Sequence, residues 1–592
     1  MKFFKFLILA SLSITALLGA SGCTKNRETG NTLRFAVREK FKSLDPAHGQ
    51  DHYSNILIRR TYEGLLKYHY LKRPYEIVPH LAEGMPVISK DRLTYTFKIK
   101  KGVRFHDDKA FTATGGKGRE LTAADFIFSF KRIADPKVVS DGWWIFDGRV
   151  LGLNEWRESA TKAGKADYAA EVPGLKAVDS HTLQIKLTKP NPLILHVLTM
   201  PYANVVAHEA VEFHGQEFGT HPVGTGPYML QTLSSNQAIW VKNPNYTHET
   251  YPTDGSPGDL EAGRLADAGK QLPFVDKIID DIIIEDQPAW LNFMQGNHDY
   301  MMKMTKDNVN QILDSEGKPS KDMRDKGIQV FYEPGTWFNY VAFNQEDPAI
   351  GGEKQKWLRQ AMALAYDEAP TIKMFYFGLA QKAESPVPPG VAGYDPNYKN
   401  PYRQYNLAKA REILAKHGHP NGEGLPELVY DFKGDSTQRQ LAEYFARQVS
   451  QLGIKVRLNS VTWPELLGRI KKKQAQMWGI SWVYDYPDAE NGLQLLFGPN
   501  ESPGPNGANY KSKKFDALYD KIATMEDSAE RRKLLRQMVD VIAEDVPWLM
   551  TIHQAETRLA QPWVKNFKLH VFDHNIEKYL RLDTAARDQA LK

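Results

Sequence analysis

The stretch "RLTYTFKIKKGVRF" (92–105), followed by "LTAADFIFSFKRIADP" (121–136), decides the class of the fold. In the first, Leu93, Tyr95, Phe97 and Ile99 alternate with Thr94, Thr96 and Lys98, a period of two that gives a half-buried strand one apolar face. In the second the period changes. Phe126, Phe130 and Ile133 fall on one helical stripe, Thr122 stands as N-cap with Asp125 three residues on, and Pro136 ends the run. The same handover recurs along the chain. "HTLQIKLTKP" (181–190) returns to strand with Leu183, Ile185 and Leu187 in phase, and "YNLAKAREILAKHG" (405–418) reads as a helix from Asn406 to a stop near Gly418. "MEDSAERRKLLRQMVDVIAEDVPW" (525–548) is another, with Asp527 and Glu530 spaced for a capping box. The class is mixed α/β with several lobes. Gly/Pro-rich connections at 112–119, 250–272 and 499–508 are expected on the surface, because buried irregular backbone strands polar groups.

Composition suits such a body. The chain has 592 residues, a length that allows about four domain-sized units. Hydrophobic residues make up 42% and charged ones 25%, ordinary for a soluble globular protein. The formal charge of +5 falls to +3 once Lys2 and Lys5 are removed (5 − 2), too mild and too interspersed for a nucleic-acid protein. Those two lysines precede a short apolar run, Phe6 to Leu18, and then small residues leading into Cys23, the single cysteine. Residues 1–22 therefore read as a secretory signal, too short to be a spanning helix. "ASGC" resembles the lipobox of bacterial lipoproteins, with Ala20 where that motif usually has Leu. The resemblance implies acylation of Cys23; the alternative is an ordinary signal peptide with an incidental cysteine. Either way no cysteine is left for an internal disulfide, and the core must hold the fold.

Eight motifs in order resemble a known family: "SLDPA" (43–47), "TYEGLLKY" (61–68), "PHLAEGM" (79–85), "YTFKIKKGVRFHD" (95–107), "LTAADFIFSFKR" (121–132), "VGTGPYML" (223–230), "FNQEDP" with "WLRQAMALAYD" (343–367), and "WVYDYPDAEN" (482–491). Together they look like the family 5 extracellular solute-binding proteins of bacterial ABC importers, the oligopeptide- and dipeptide-binding proteins among them. The resemblance implies a periplasmic-binding-protein-like type II fold: two hinged α/β lobes with an extra domain inserted in the first. On that pattern lobe I takes 30–66, 176–286 and 550–592, the inserted domain II takes 67–175, and lobe III takes 287–549. "DKIIDDIIIEDQPA" (276–289) and "PWLMTIHQAETRL" (547–559) would carry the later crossings between lobes. "DKAFTATGGKGRE" (108–120) departs from the family's shorter turn.

Motifs of catalysis and metal binding are incomplete in this chain. "HEAVEFH" (208–214) is not HExxH, since its second His is six residues on. "GGKGRE" lacks the frame of a phosphate loop, and no G-x-S-x-G elbow occurs. The 17 histidines show no ligand-like clustering along the chain. No cofactor, no metal and no enzyme is expected.

The remaining question is "SWVYDYPDAENGL" (481–493), three carboxylates among aromatics. "QMWGISWVY" (476–484) is a strand, and Pro487 starts a helix running through Leu493, Leu495 and Leu496. Asp488 and Glu490 sit in its first turn, where the dipole favours anions. Asp485 ends the strand, where open α/β sheets tend to bind ligands, though it could equally be the helix N-cap. The resemblance implies more: an Asp three residues after a Trp binds the α-ammonium of a peptide, here Trp482 and Asp485. It also implies that Ser481 and Val483 offer backbone to an extended ligand, that Trp463 lines a side-chain pocket, and that Glu39, Lys40 and Phe41 contribute from lobe I. Trp143 and Trp144 are candidates from domain II, equally readable as packing. The implied function is a lipid-anchored, monomeric receptor, periplasmic or at the cell surface. It would close on an oligopeptide and deliver it to an ABC permease. Alternatives are the same receptor class for a nickel chelate, haem or oligosaccharide, or a secreted hydrolase.

Overall fold

The computed structural model describes residues 30–37, 41–49, 52–304, 307–572 and 575–592. The expectations for Cys23, Glu39 and Lys40 lie outside them.

The opening stretch folds as its pattern dictates. Thr94–Lys98 is a strand with Tyr95, Phe97 and Ile99 buried, and Ala123–Ala134 is a helix capped reciprocally by Thr122 and Asp125. The strand lies in a small antiparallel sheet of four, in the order Val87–Ile88, Thr94–Lys98, Thr182–Lys186 and Leu175–Asp179. Its pairing thus draws on residues either side of the expected limit at 175. Leu183, Ile185, Phe126 and Phe130 fill the core between this sheet and the helix.

A much larger sheet of eleven strands forms the backbone of the molecule. Its order is Val456–Val461, Leu428–Lys433, Met477–Val483, Gln329–Phe343, Trp548–Ala560, Tyr300–Met301, Thr32–Val37, Lys277–Ile282, Gln237–Lys242 and Tyr228–Leu233, with Gln381–Lys382 set against Trp548–Ala560. Two long antiparallel strands join its halves. Gln329–Pro334 pairs with Ala555–Ala560 on the side of Thr32–Val37, and Phe338–Ala342 pairs with Trp548–His553 beside Met477–Val483. The register shifts between Pro334 and Phe338. Gly335 sits in that break, where an added Cβ would lie 2.8 Å from the Gln554 carbonyl oxygen. The segment 276–289 supplies the strand Lys277–Ile282, parallel to Thr32–Val37, and then the helix Asp286–Met294. The strand that runs between the halves is Gln329–Phe343.

Two local expectations are corrected. The helix Ala529–Asp545 is capped by Ser528, whose hydroxyl accepts from the Arg531 amide, while Asp527 pairs with Arg532 instead. The connection 250–272 is not a surface loop throughout: Asp259 is buried against Lys568, and Asp267 is buried and bonded to Asn566 and Arg581. Charged residues can go inside here because each meets its counter-charge. Among the described residues no helix is long and apolar enough to cross a membrane.

Candidate functional site

The site grows from the strand Met477–Val483. It pairs with Gln329–Phe343 along its whole length, but with Leu428–Lys433 only through Met477 and Trp478. Beyond Trp478 its second edge is open. The Tyr484 amide donates to the Thr336 carbonyl, so alternate residues back to Trp482 and Ile480 turn their main-chain groups toward Gln329–Phe343. Ser481 and Val483, of opposite parity, turn theirs to the open edge. Among the described residues nothing bonds to the main chain of either.

Asp485 follows where the strand leaves the sheet. Its carboxylate accepts from Asn491 Nδ2 at 3.0 Å, and its own amide donates to Asn491 Oδ1 at 3.1 Å. The same Oδ1 accepts from the Trp482 indole at 3.0 Å. The fully buried Asn491 therefore fixes both residues of the W-x-x-D pattern. Among the described residues no cation pairs with Asp485. The residue is open to water on one side while protein crowds round the carboxylate on the others. That desolvation pushes its pKa up to about 6 against the opposing bond from Asn491.

The two other acids of the stretch are satisfied. Asp488 forms a bidentate pair with Arg531, both contacts 2.7 Å, and accepts from the Glu490 amide at 2.9 Å. Glu490 accepts from the hydroxyls of Tyr486 and Tyr519. Arg531, Tyr486 and Tyr519 are all buried, so these acids hold the turn by pairing and hydrogen bonding rather than through a helix dipole. The helix itself is short, Glu490–Leu493, continued by a 3-10 turn over Gln494–Leu496. Its N-cap is Ala489, without a side-chain cap bond, so the alternative reading of Asp485 as cap is corrected. Tyr486 reaches across to the core of the small-sheet domain, stacking on His196 at 5.7 Å, and His196 Nδ1 lies 2.9 Å from the Tyr68 hydroxyl. Asp485 thus sits one residue from a contact between the two halves of the molecule.

The other candidates scatter. Trp482 is half-buried beside Phe338, to which its strand position pairs. Trp463 begins the helix Trp463–Lys471 and is 43% exposed. Phe41 is half-buried against the core around Thr32–Val37. Trp143 lies under Arg157, its ring 4.9 Å from the guanidinium, and with Trp144 packs against the domain core. Sequence reasoning missed Asn491 and Arg531. Asn491 stood inside a quoted motif without a local sign of its role, and Arg531 lies 43 residues from the acid it neutralises.

A body of two sheet halves joined by a pair of long strands, with an open strand edge and an uncompensated carboxylate at the junction, defines a binding protein of the type II periplasmic class. The family model for bacterial extracellular solute-binding proteins, family 5, matches residues 76–504, and the chain belongs to that family, which serves ABC importers. It is 25% identical over 532 residues to the heme-binding protein A of Haemophilus influenzae, covering 88% of this chain and 86% of that one. It is 24% identical over 548 residues to the glutathione-binding protein GsiB of Escherichia coli, covering 91% and 92%. Among solved structures it resembles DppA of Helicobacter pylori in complex with the peptide STSA, at 25% identity and a TM-score of 0.71, covering 95% of this chain and 100% of that one. The unliganded open form of the murein tripeptide-binding protein MppA, at 21% identity and a TM-score of 0.68, shares the fold, with 94% and 98% covered.

Proposed function

We propose that the protein captures peptides with a free N-terminus and hands them to an ABC permease, with Asp485 as the socket for the ligand's α-ammonium. One observation carries this: a carboxylate still open to water on one side, oriented by Asn491 and lacking a cation among the described residues, stands beside the open main chain of Ser481 and Val483. A carboxylate enclosed by a closing cleft is costly unless a cation meets it, and a ligand ammonium supplies one. An extended ligand would then add as a strand along Ser481 and Val483, giving affinity independent of its side chains. Trp482, Trp463 and Phe41 would face its side chains.

Glutathione, itself a small peptide with a free ammonium, meets the same socket and is the second reading, favoured by the relatives named for it. Haem offers Asp485 no such group. In this reading the hinge is the pair Gln329–Phe343 and Trp548–Ala560, so lobe III begins after the break at Gly335 rather than at 287. Acylation of Cys23 would tether the receptor outside the cytoplasmic membrane, and it would act as a monomer. The test is calorimetric titration with a tetrapeptide and its N-acetylated form. The free peptide is expected to bind at least thirtyfold more tightly; equal affinities sink the socket.

A further inference from the structure

Folding brings together what the sequence keeps apart. Asp108 belongs to the loop "DKAFTATGGKGRE", His214 ends the helix His208–His214, and His221 follows a short turn. Asp108 Oδ1 lies 2.9 Å from His214 Nε2 and Oδ2 lies 3.0 Å from His221 Nε2. The two imidazoles stack with centroids 4.0 Å apart and planes at 26°, so both Nε2 atoms face one carboxylate. One ligand atom from each residue lies within 4.8 Å of the others. The side chains of Asp108 and His214 are only 10% and 9% exposed, while that of His221 is 54% exposed, which leaves one open side. The loop is pre-set: the Ala110 amide donates to Asp108 Oδ1 at 2.9 Å, and the Asp108 amide donates to the Gly116 carbonyl at 3.0 Å. The nearby Lys117 is paired with Asp107 and does not compete for Asp108.

We propose that Asp108, His214 and His221 form a binding site for a divalent transition-metal ion, distinct from Asp485 and the open strand edge at Ser481 and Val483. Two imidazole nitrogens and one carboxylate oxygen with an open fourth position are the donor set that suits Zn2+. Bonds of about 2.0–2.1 Å in a tetrahedron place donors roughly 3.3 Å apart; the two contacts seen run to different oxygens of Asp108 and are a few tenths of an ångström shorter, and all three ligand atoms lie within 4.8 Å of one another, so small side-chain rotations would complete the set. To bind the ion each ring would present its Nε2 lone pair, so the present Nε2–H···Oδ hydrogen bonds to Asp108 would give way to metal bonds. The ion would clip the loop 107–118 to the segment 208–221. The buried cluster of Glu63, His80 and Glu249 is a poorer host, because Lys67 and Lys578 already neutralise Glu249 and no side is open.

The test is titration of the full chain, freed of metal with chelator, with Zn2+ by calorimetry and with Co2+ by visible absorption. One equivalent is expected to bind. His221→Gln, chosen because that ring is largely exposed and its loss spares the fold, and Asp108→Asn should each weaken binding at least tenfold. His417→Ala/His419→Ala, which removes a pair of rings stacked on Trp357 elsewhere, and Asp485→Asn should not change it. Absence of saturable binding, binding by His221→Gln as tight as wild type, or loss of binding in the His417/His419 variant overturns the site.

Discussion

Asp485→Asn separates the two things the carboxylate does. Asn keeps the shape and the bond to Asn491 but cannot meet an ammonium with charge. Removing one member of a buried charge pair costs about 2–5 kcal/mol of binding, and at 1.4 kcal/mol per decade even the lower figure is roughly thirtyfold in Kd. The pH dependence follows from the raised pKa. With a value of about 6, Asp485 is largely ionised at pH 7 and largely protonated at pH 5, so peptide affinity should fall by about tenfold between them. In Asp485→Asn that slope should vanish. For the ligand-free fold the sign is the reverse: an acid whose folded pKa lies above its unfolded value gives stability that is full below about 3.8 and lost as pH rises through about 6. The neutral variant should therefore melt no lower than wild type at pH 7. Calorimetry at pH 5, 6 and 7 with one free tetrapeptide reads the affinities, and thermal unfolding reads the fold. An affinity that is flat across this range in wild type, or a variant that binds as well at pH 7, refutes the reasoning.

Other outcomes follow from features away from the socket. Arg531→Met leaves Asp488 buried without its cation, and urea unfolding should show a loss of about 3–5 kcal/mol; a loss under 1 kcal/mol would mean the pair does not hold the turn. Gly335→Ala forces a Cβ against the Gln554 carbonyl, an overpacking expected to cost about 1–3 kcal/mol and to shrink the ligand-induced change in radius of gyration, read by X-ray scattering; unchanged scattering would move the hinge elsewhere. Cys23→Ser should shift the expressed protein from the detergent phase to the aqueous phase or leave it unprocessed, and wild-type protein without acyl mass at its N-terminus would contradict the anchor.

What could be read from the sequence was whatever the chain settles locally. The alternation of Tyr95, Phe97 and Ile99 and the box of Thr122 with Asp125 needed only neighbours a few residues away, and both are as expected. Asn406 caps its helix for the same reason. Where two capping residues stood side by side, Asp527 and Ser528, local spacing could not choose, and the attraction of Arg532 took Asp527 away. Asp488 looked like a first-turn acid because its counter-ion lies 43 residues on, and the buried acids of 250–272 looked exposed because Lys568 and Arg581 come from the far end of the chain. The histidines seemed scattered because ligand sets are made by proximity in space; His214, His221 and Asp108 meet only through a helix end, a turn and a loop. The W-x-x-D pattern of Trp482 and Asp485 was legible as a motif, but Asn491, which bonds to both, was not, since a buried amide leaves no periodic trace.

The two long strands that join the halves are bonded to each other on both sides of the break at Gly335. A pair of separate tethers would let the lobes shear, yaw or drift apart; a single twisted ribbon resists all of these and yields chiefly in torsion. Neither strand can slip a residue without turning Phe338, buried at 0% exposure, to the opposite face. Opening and closing would then keep the same cross-strand bonds and differ mainly in the dihedrals of about three residues, from Gly335 to Trp337. A ligand arriving at Asp485, a few residues along the adjoining strand, would work against a soft spring with a fixed axis, and modest differential affinity would be enough to close it.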